Sequence, residues 1–466
     1  MSYFIVADFK GGLNTTKLPV TAAPGTLRTL SNAHITRGGE IEKRRAFVSW
    51  KTLPAGTVGL AGLSGQIYVF GTPADPGVPA GVTYQRLQPS GGRTVLRIFD
   101  AKGFDGKLYV SALCSDSSVA HFYDGVQVTS FTGALAGAEA GQILLTSGSN
   151  LYSAADSTLY RCKQDDPTDW DPASLGASFY NMSTQASGSE TLTGLGEYDQ
   201  SMAVFSRRTI QIWDFSADPT VAIAGNRLRN TGCVSPRTVL PFAGSDVFFL
   251  DDSGVRSLRS RDLTDSPSAA DVGTPIDDIM SARVQAMTAD QLAAAHAIIE
   301  PTSGRYWLVL GSDVYLFSYF PGAKISAWSH YTLPGEAVNT IAVDNQVFSR
   351  VGNTIYMLGG DTGLTYDSTA AEVELPYLDG RAIATWKSWT AIDIAAEGDW
   401  QVFASYDPLA PTVEDEVATL TGTTFMRLDM PMLGESPFVK LRFVSTGSGA
   451  ARLGNVVAHY ERLGAG

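Results

Sequence analysis

Cysteine is scarce in this chain: Cys114, Cys162 and Cys233 are odd in number, far apart and without CxxC spacing. Such a set supports neither a disulfide framework nor a zinc site, and reads as reduced thiols in a protein made in a cytosol. Histidine is nearly as sparse, and no two of His34, His121, His296, His330 and His459 stand at a ligand spacing. Long apolar runs are missing too. No stretch approaches the ~18 uninterrupted apolar residues of a membrane span, and the opening MSYFIVADFK lacks the basic segment and apolar run of a signal peptide. Positive charge is in deficit, with 34 Lys and Arg against 47 Asp and Glu and a formal net charge of -13. That balance excludes a protein gripping nucleic-acid phosphates over its whole surface. The deficit is uneven: residues 1–51 carry an excess of Lys and Arg, while the last hundred or so are acidic.

What is present is turn punctuation. The 47 Gly and 22 Pro fall between short apolar runs, as many short strands require. One unit recurs, a β-branched or aromatic run, a tight polar turn and a second run. Examples are Gln66–Phe70, Leu108–Ala112, Leu151–Ala154, Met202–Phe205, Asp246–Leu250, Arg305–Leu310 and Val347–Arg350. Each is a hairpin signal built around Gly, Asp or Asn. Successive units begin about 41 to 60 residues apart, most near 43, close to the ~40–50 residue period of a propeller blade. A blade cannot bury both faces alone, whereas radial stacking of blades does so and leaves only short protected edges. The expected fold is therefore all-β: a β-propeller of about six to seven blade-like units over 56–365, favoured over a large β-sandwich. A helical insertion is expected near 275–299. There Ile276, Ile279, Met280, Val284 and Met287 keep helical spacing, and Thr288 with Gln291 forms a capping box opening a second helix through Ala293–Ala297, His296 included. After about residue 365 the strands lengthen, and 366–466 reads as a separate C-terminal β-sandwich. Residues 1–55 read as an N-terminal arm with strands leading into the first blade.

Chemistry is hard to find. HExxH, GxxxxGK[ST], GxSxG and DxDxDG patterns are all absent. The carboxylate pairs Asp165-Asp166, Asp251-Asp252 and Asp277-Asp278 could serve a glycosidase only if two of them faced one sugar cleft. They fall at turn and helix-start positions, where Asp caps backbone N–H groups. DDSGVRSL is similar to the Asp-box of sialidase propellers but lacks its Trp and has no sibling copy. The aromatics from Tyr306 to Tyr331 suit blade packing better than a carbohydrate platform. The expectation is a protein that is not an enzyme, with no catalytic residues, cofactor or metal.

Several stretches resemble one family. DFKGGLNTTKLPVTAAPGTLRTLSNAHITRGGEIEKRRAF carries Gly11, Gly12, Leu13 and Asn14, then Asn32, then Gly39 and Glu40, then Lys43, Arg44 and Arg45. This stretch is similar to the N-terminal signature of the tail nozzle proteins of short-tailed bacteriophages, also called packaged-DNA stabilisation or tail tubular B-type proteins. FLDDSGVRSLRSRD followed by DVGTPIDDIM, and YLFSYFPGAKISAWSHY, are similar to later family segments. The resemblance runs in order over most of the chain. It implies a structural virion protein with a β-propeller core, assembled in the host bacterial cytoplasm as a homohexameric ring of the viral tail. Implied partners are the adaptor (head-to-tail connector) protein, a distal fibre, spike or needle protein, and genomic double-stranded DNA, retained and then passed at ejection without sequence-specific binding. The ring would need two complementary faces per subunit, and Lys43, Arg44 and Arg45 are candidates to meet an acidic neighbour or to face DNA. The rival expectation is a receptor-binding or glycan-degrading tail protein on the same fold.

Overall fold

A computed structural model describes residues 2–74, 76–129, 133–184, 190–218, 221–244, 246–264, 271–424 and 427–465. Among the described residues seven blade-like sets of paired strands follow one another along the chain, antiparallel throughout except for the parallel pairing of Gln66–Gly71 with Thr83–Arg86. Blade 1 holds Thr57–Leu63, Gln66–Gly71 and Thr83–Arg86, and blade 2 runs from Val95–Phe104 to Val126–Gln127. Blade 3 runs from Ile143–Ser147 to Ser178–Asn181, and blade 4 from Leu192–Tyr198 to Val221–Arg229. Blade 5 is Leu240–Phe242, Asp246–Asp251 and Gly254–Ser257, and blade 6 runs from His296–Ile299 to Ile325–Thr332. Blade 7 takes Ala337–Val343, Gln346–Val351 and Thr354–Leu358, and its outer strand is Phe47–Thr52, from far upstream. The chain is a seven-bladed β-propeller.

The ring closes because the first strand of each blade lies beside that of the next, blade 7 beside blade 1 included. A buried apolar cluster fills every gap between neighbours. Closure demands small residues on the inner strands. A Cβ on Gly62 of blade 1 would stand 2.6 Å from Val343 Cγ2 of blade 7, closer than packed carbon atoms approach. The outer strand of blade 7 then latches the circle, pairing Phe47 with Leu358 and Thr52 with Thr354.

Beyond blade 7 the strands Glu372–Glu374, Thr385–Glu397, Trp400–Ser405, Asp415–Leu420, Arg427–Ser436, Lys440–Ser445 and Arg452–Ala465 build two further sheets. Residues 1–55 do not form an arm apart from them. Ser2–Val6 pairs with Arg452–Ala465, Ile41–Lys43 extends the same sheet, and Thr29–Ser31 pairs with Glu372–Glu374. The β-sandwich is thus braided from both ends of the chain. One of its sheets runs on into blade 6 through a single parallel bridge, His330 to Ser31. The largest core cluster follows that continuity, from Trp389, Trp400 and Phe443 in the sandwich to Trp328, Phe317 and Tyr306 in blade 6.

Among the described residues three α-helices interrupt the strands. Leu258–Thr264 (α1) packs on blade 5, where sequence patterning shows no helical period. Asp277–Ala286 (α2) buries Met280 and Val284, and Ala289–Ala294 (α3) opens on the Thr288–Gln291 capping box. The second helix is shorter than its alanines suggest. Ala295 takes extended geometry, and His296 begins the inner strand of blade 6 instead of lying in the helix. Burial of Ala295 and His296 in the ring decides the matter over helix propensity. No helix among the described residues is long and apolar enough to cross a membrane.

Candidate functional site

Of the residues bearing the family resemblance, Gly12, Asn32 and Arg44 lie at the joint between sandwich and propeller. Gly12, at φ +55, lies against blade 6: a Cβ there would meet Ala327 Cβ at 2.7 Å and Trp328 O at 2.8 Å. A Cβ on Gly11 would meet Thr26 Cγ2 at 2.7 Å, and Leu13 is buried. Asn14 closes an exposed turn by accepting from the Thr16 hydroxyl and N–H. Asn32 is the node of the joint. It holds a left-handed φ of 52, which Asn tolerates better than most residues. Its side-chain Oδ1 accepts from Arg44 Nε and from the Thr332 N–H of blade 6, both at 2.9 Å, while Nδ2 donates to Ala370 O. Gly39, at φ +86, packs on Lys10 and Asp8 and accepts from the Phe9 N–H. Glu40 remains exposed on that turn.

The basic run does not face outward as a unit. Lys43 is fully buried, its Nζ donating to Asp367 O at 2.8 Å and Gly447 O at 2.7 Å, and burial lowers its pKa. Arg44 is buried on Asp367 at 3.1 Å and lies over the Phe47 ring. Arg45 is half-buried beside Tyr366. Lys43 and Arg44 therefore cannot face DNA, and the acidic neighbour that Arg44 meets belongs to its own chain.

The other residues singled out by sequence serve local structure. Asp166 caps Thr168, Asp251 accepts from the Ser253 and Gly232 N–H groups, Asp252 pairs with Arg207, and Asp277 holds Arg256 at 2.7 Å. They are not gathered at one cleft. His121 Nε2 donates to Gly141 O and its Nδ1 accepts from the Tyr109 hydroxyl, and burial pulls its pKa down to about 4. Burial pulls His296 to about 3 and raises Cys162 and Cys233 to about 12. Among the described residues no group of three metal-ligating side chains occurs.

The main concavity is one that sequence spacing could not show. A cavity of about 1140 Å³ opens at the mouth of the propeller axis where the inner strands begin, lined from blades 1, 2, 3, 4 and 7, from Val234, Pro236 and Arg237 ahead of blade 5, and from α3 ahead of blade 6. Four of those strands carry a β-bulge at the same level, skipping Val58, Leu96, Thr193 and Val338 in the ladder. A bulge re-aims its residue out of the regular pleat, and all four line the cavity. Guanidinium groups stand behind this ring. Arg237, ahead of blade 5, donates to Ala294 O at 2.7 Å and to Val338 O at 3.3 Å, tying α3 to blade 7. Arg350 of blade 7 donates to Thr57 O of blade 1 at 2.7 Å. Arg97 of blade 2 reaches across the mouth to Asp290 of α3 at 3.5 Å.

No family model matches the chain, and no curated protein matches it. Solved structures do. The WD40 domain of Pan2 from Neurospora crassa is 9% identical, with a TM-score of 0.38 over 66% of this chain and 90% of that one. The AfRom2 CNH domain is 12% identical, with a TM-score of 0.33 over 79% and 99% of the two chains. BBS1N, solved in complex with ARL6DN, is 9% identical, with a TM-score of 0.30 over 77% and 95%. At these values the likeness concerns blade architecture only, and the fold assignment stands on the strand pairing above.

Proposed function

We propose that this chain is a structural virion protein, a subunit of the tail nozzle ring that closes the DNA exit channel of a short-tailed bacteriophage. The observation that carries the reading is the placement of Gly12, Asn32 and Arg44 at one joint, with Asn32 bonded to Arg44, Ala370 and Thr332 at once. Residues kept for catalysis would be expected to meet at an open cleft. These meet where a sandwich is locked onto a propeller, which suits a stiff part of a pressure-bearing tube. A sheet continuous from blade 6 into the sandwich adds to the same stiffness. In this reading the subunit forms a homohexameric ring, docks on the adaptor protein, carries a distal fibre, spike or needle, and lets DNA slide past an acidic body without sticking. Because the free cations of the signature are consumed internally, the ring contacts must use other faces. The axial cavity favours one second reading, a receptor-binding or glycan-degrading tail protein.

The deciding measurement is the mass of the purified protein in solution, alone and with its adaptor, followed by negative-stain imaging. Six-fold rings with a hole wide enough for a duplex are the expected result. A persistent monomer in both conditions that binds or cleaves a bacterial surface glycan would replace this reading with the second.

A further inference from the structure

We infer that the axial cavity is a binding site for a small ligand carrying a multivalent oxoanion, phosphate or carboxylate, held by Arg97, Arg237 and Arg350. The inference does not rest on the tail reading.

The argument begins with unpaired charge. Arg350 is 8% exposed and Arg237 is held in the rim, yet neither has a carboxylate within ion-pair distance among the described residues. Their acceptors are backbone carbonyls: Gly352 and Thr57 for Arg350, Ala293, Ala294 and Val338 for Arg237. A carbonyl satisfies a hydrogen bond but supplies no countercharge, so the desolvation of Arg350 is left uncompensated and that of Arg237 is offset only in part, by the more distant Asp100 carboxylate. Burial accordingly lowers both pKa values, Arg350 to about 10, still cationic at neutral pH. Arg97 lies over the Phe99 ring, and its one ion-pair partner among the described residues is Asp290, a carboxylate 93% exposed, so the pair is weak.

A second observation comes from the same wall. Arg97 Nε and Thr193 Oγ1 are buried polar atoms without a hydrogen-bond partner, and both residues line the cavity. Thr193 is one of the bulged residues. In a chain of net charge -13, a concentration of guanidinium groups in one concavity focuses positive potential there. Guanidinium presents paired N–H donors matched to planar carboxylate and to phosphate oxygens. The cavity is large enough for a small organic anion, and its wall is about half polar, with Arg93, Arg97, Arg237 and Arg350 set against the carboxylates Glu139, Asp156 and Asp290. Leu96 and Val338 supply exposed apolar surface at its rim. Asp290 stands where an anion would meet Arg97, so ligand binding would displace it.

The test is calorimetric titration of the full-length chain with inorganic pyrophosphate and, separately, with citrate at low ionic strength. One saturable site per chain is expected for at least one probe, weakening as salt rises. Pyrophosphate without citrate would assign the phosphate form, and the reverse the carboxylate form. Arg97→Gln should weaken binding about ten-fold, the equivalent of one charge-assisted hydrogen bond. Asp290→Asn should tighten it, because the competing carboxylate is gone. Both side chains reach solvent, so folding should survive; Arg350→Gln is a third variant, expected to weaken binding where it folds. Absence of saturable binding by either probe at millimolar concentration would overturn the inference. Binding unchanged in both Arg97→Gln and Asp290→Asn would overturn it equally.

Discussion

Asn32 shows how much one side chain can hold. Replacing it with Ala strands the Thr332 N–H, removes one Arg44 acceptor and puts a residue less tolerant of φ 52 into the turn. The loss is expected to be about 2–3 kcal/mol, read as a lower denaturant midpoint. Asn32→Gly, which keeps the turn but not the hydrogen bonds, should lose nearly as much; a variant close to wild type would mean that only the backbone matters. Histidine sets the acid limit at this scale. His121 and His296 are held neutral by burial, at about 4 and about 3, against an ordinary value of 6.5. Below pH 6.5 the unfolded chain binds protons that the folded chain refuses. Their contribution is therefore intact above that pH and is lost as pH falls toward 4, by about 1.4 kcal/mol per pH unit for each ring. His296→Asn should flatten the slope of stability between pH 6 and 4.5, and an unchanged slope would assign acid sensitivity to carboxylates instead.

At the level of strands and helices, legibility followed the locality of the signal. Every hairpin unit picked out by alternation corresponds to the second strand of a blade: Gln66–Gly71, Lys107–Cys114, Asn150–Ala155, Ser201–Ser206, Asp246–Asp251, Tyr306–Leu310 and Gln346–Val351. These strands are buried on both faces and so rich in large apolar residues that they announce themselves. The inner strands were silent. TVGLAGL and LTGLGEY are small because the axis is crowded, and glycine there looks like a turn. His296–Ile299 was mistaken for helix because alanine precedes it without a break. The basic run Lys43, Arg44 and Arg45 looked like surface because its acceptors, Asp367 and Gly447, lie more than three hundred residues away. For the same reason the axial arginines could not be assembled from the sequence: ring closure, not spacing, gathers them.

The whole molecule is two architectures sharing one sheet. Blade 6 continues into the sandwich, and the largest apolar cluster crosses the boundary with it. Elements joined by common core and ladder unfold together. Scanning calorimetry should therefore show a single transition, shifted as one by Asn32→Ala. Two resolved transitions would mean that the joint is a contact between independent bodies, and would weaken the case for a stiff ring subunit.

The braided sandwich also fixes when the protein can be finished. Ser2–Val6 has Arg452–Ala465 as its ladder partner, and Thr29–Ser31 waits for Glu372–Glu374. During synthesis, which runs from the N-terminus, the earliest segment must stay unpaired while seven blades emerge behind it. The propeller latch, Phe47–Thr52, likewise idles until Thr354–Leu358 appears. A chain that stops short leaves its own first strands bare-edged, and bare strand edges attract the wrong partners. The fold thus works as a length check: only a chain translated through Arg452–Ala465 can cover the edge of Ser2–Val6.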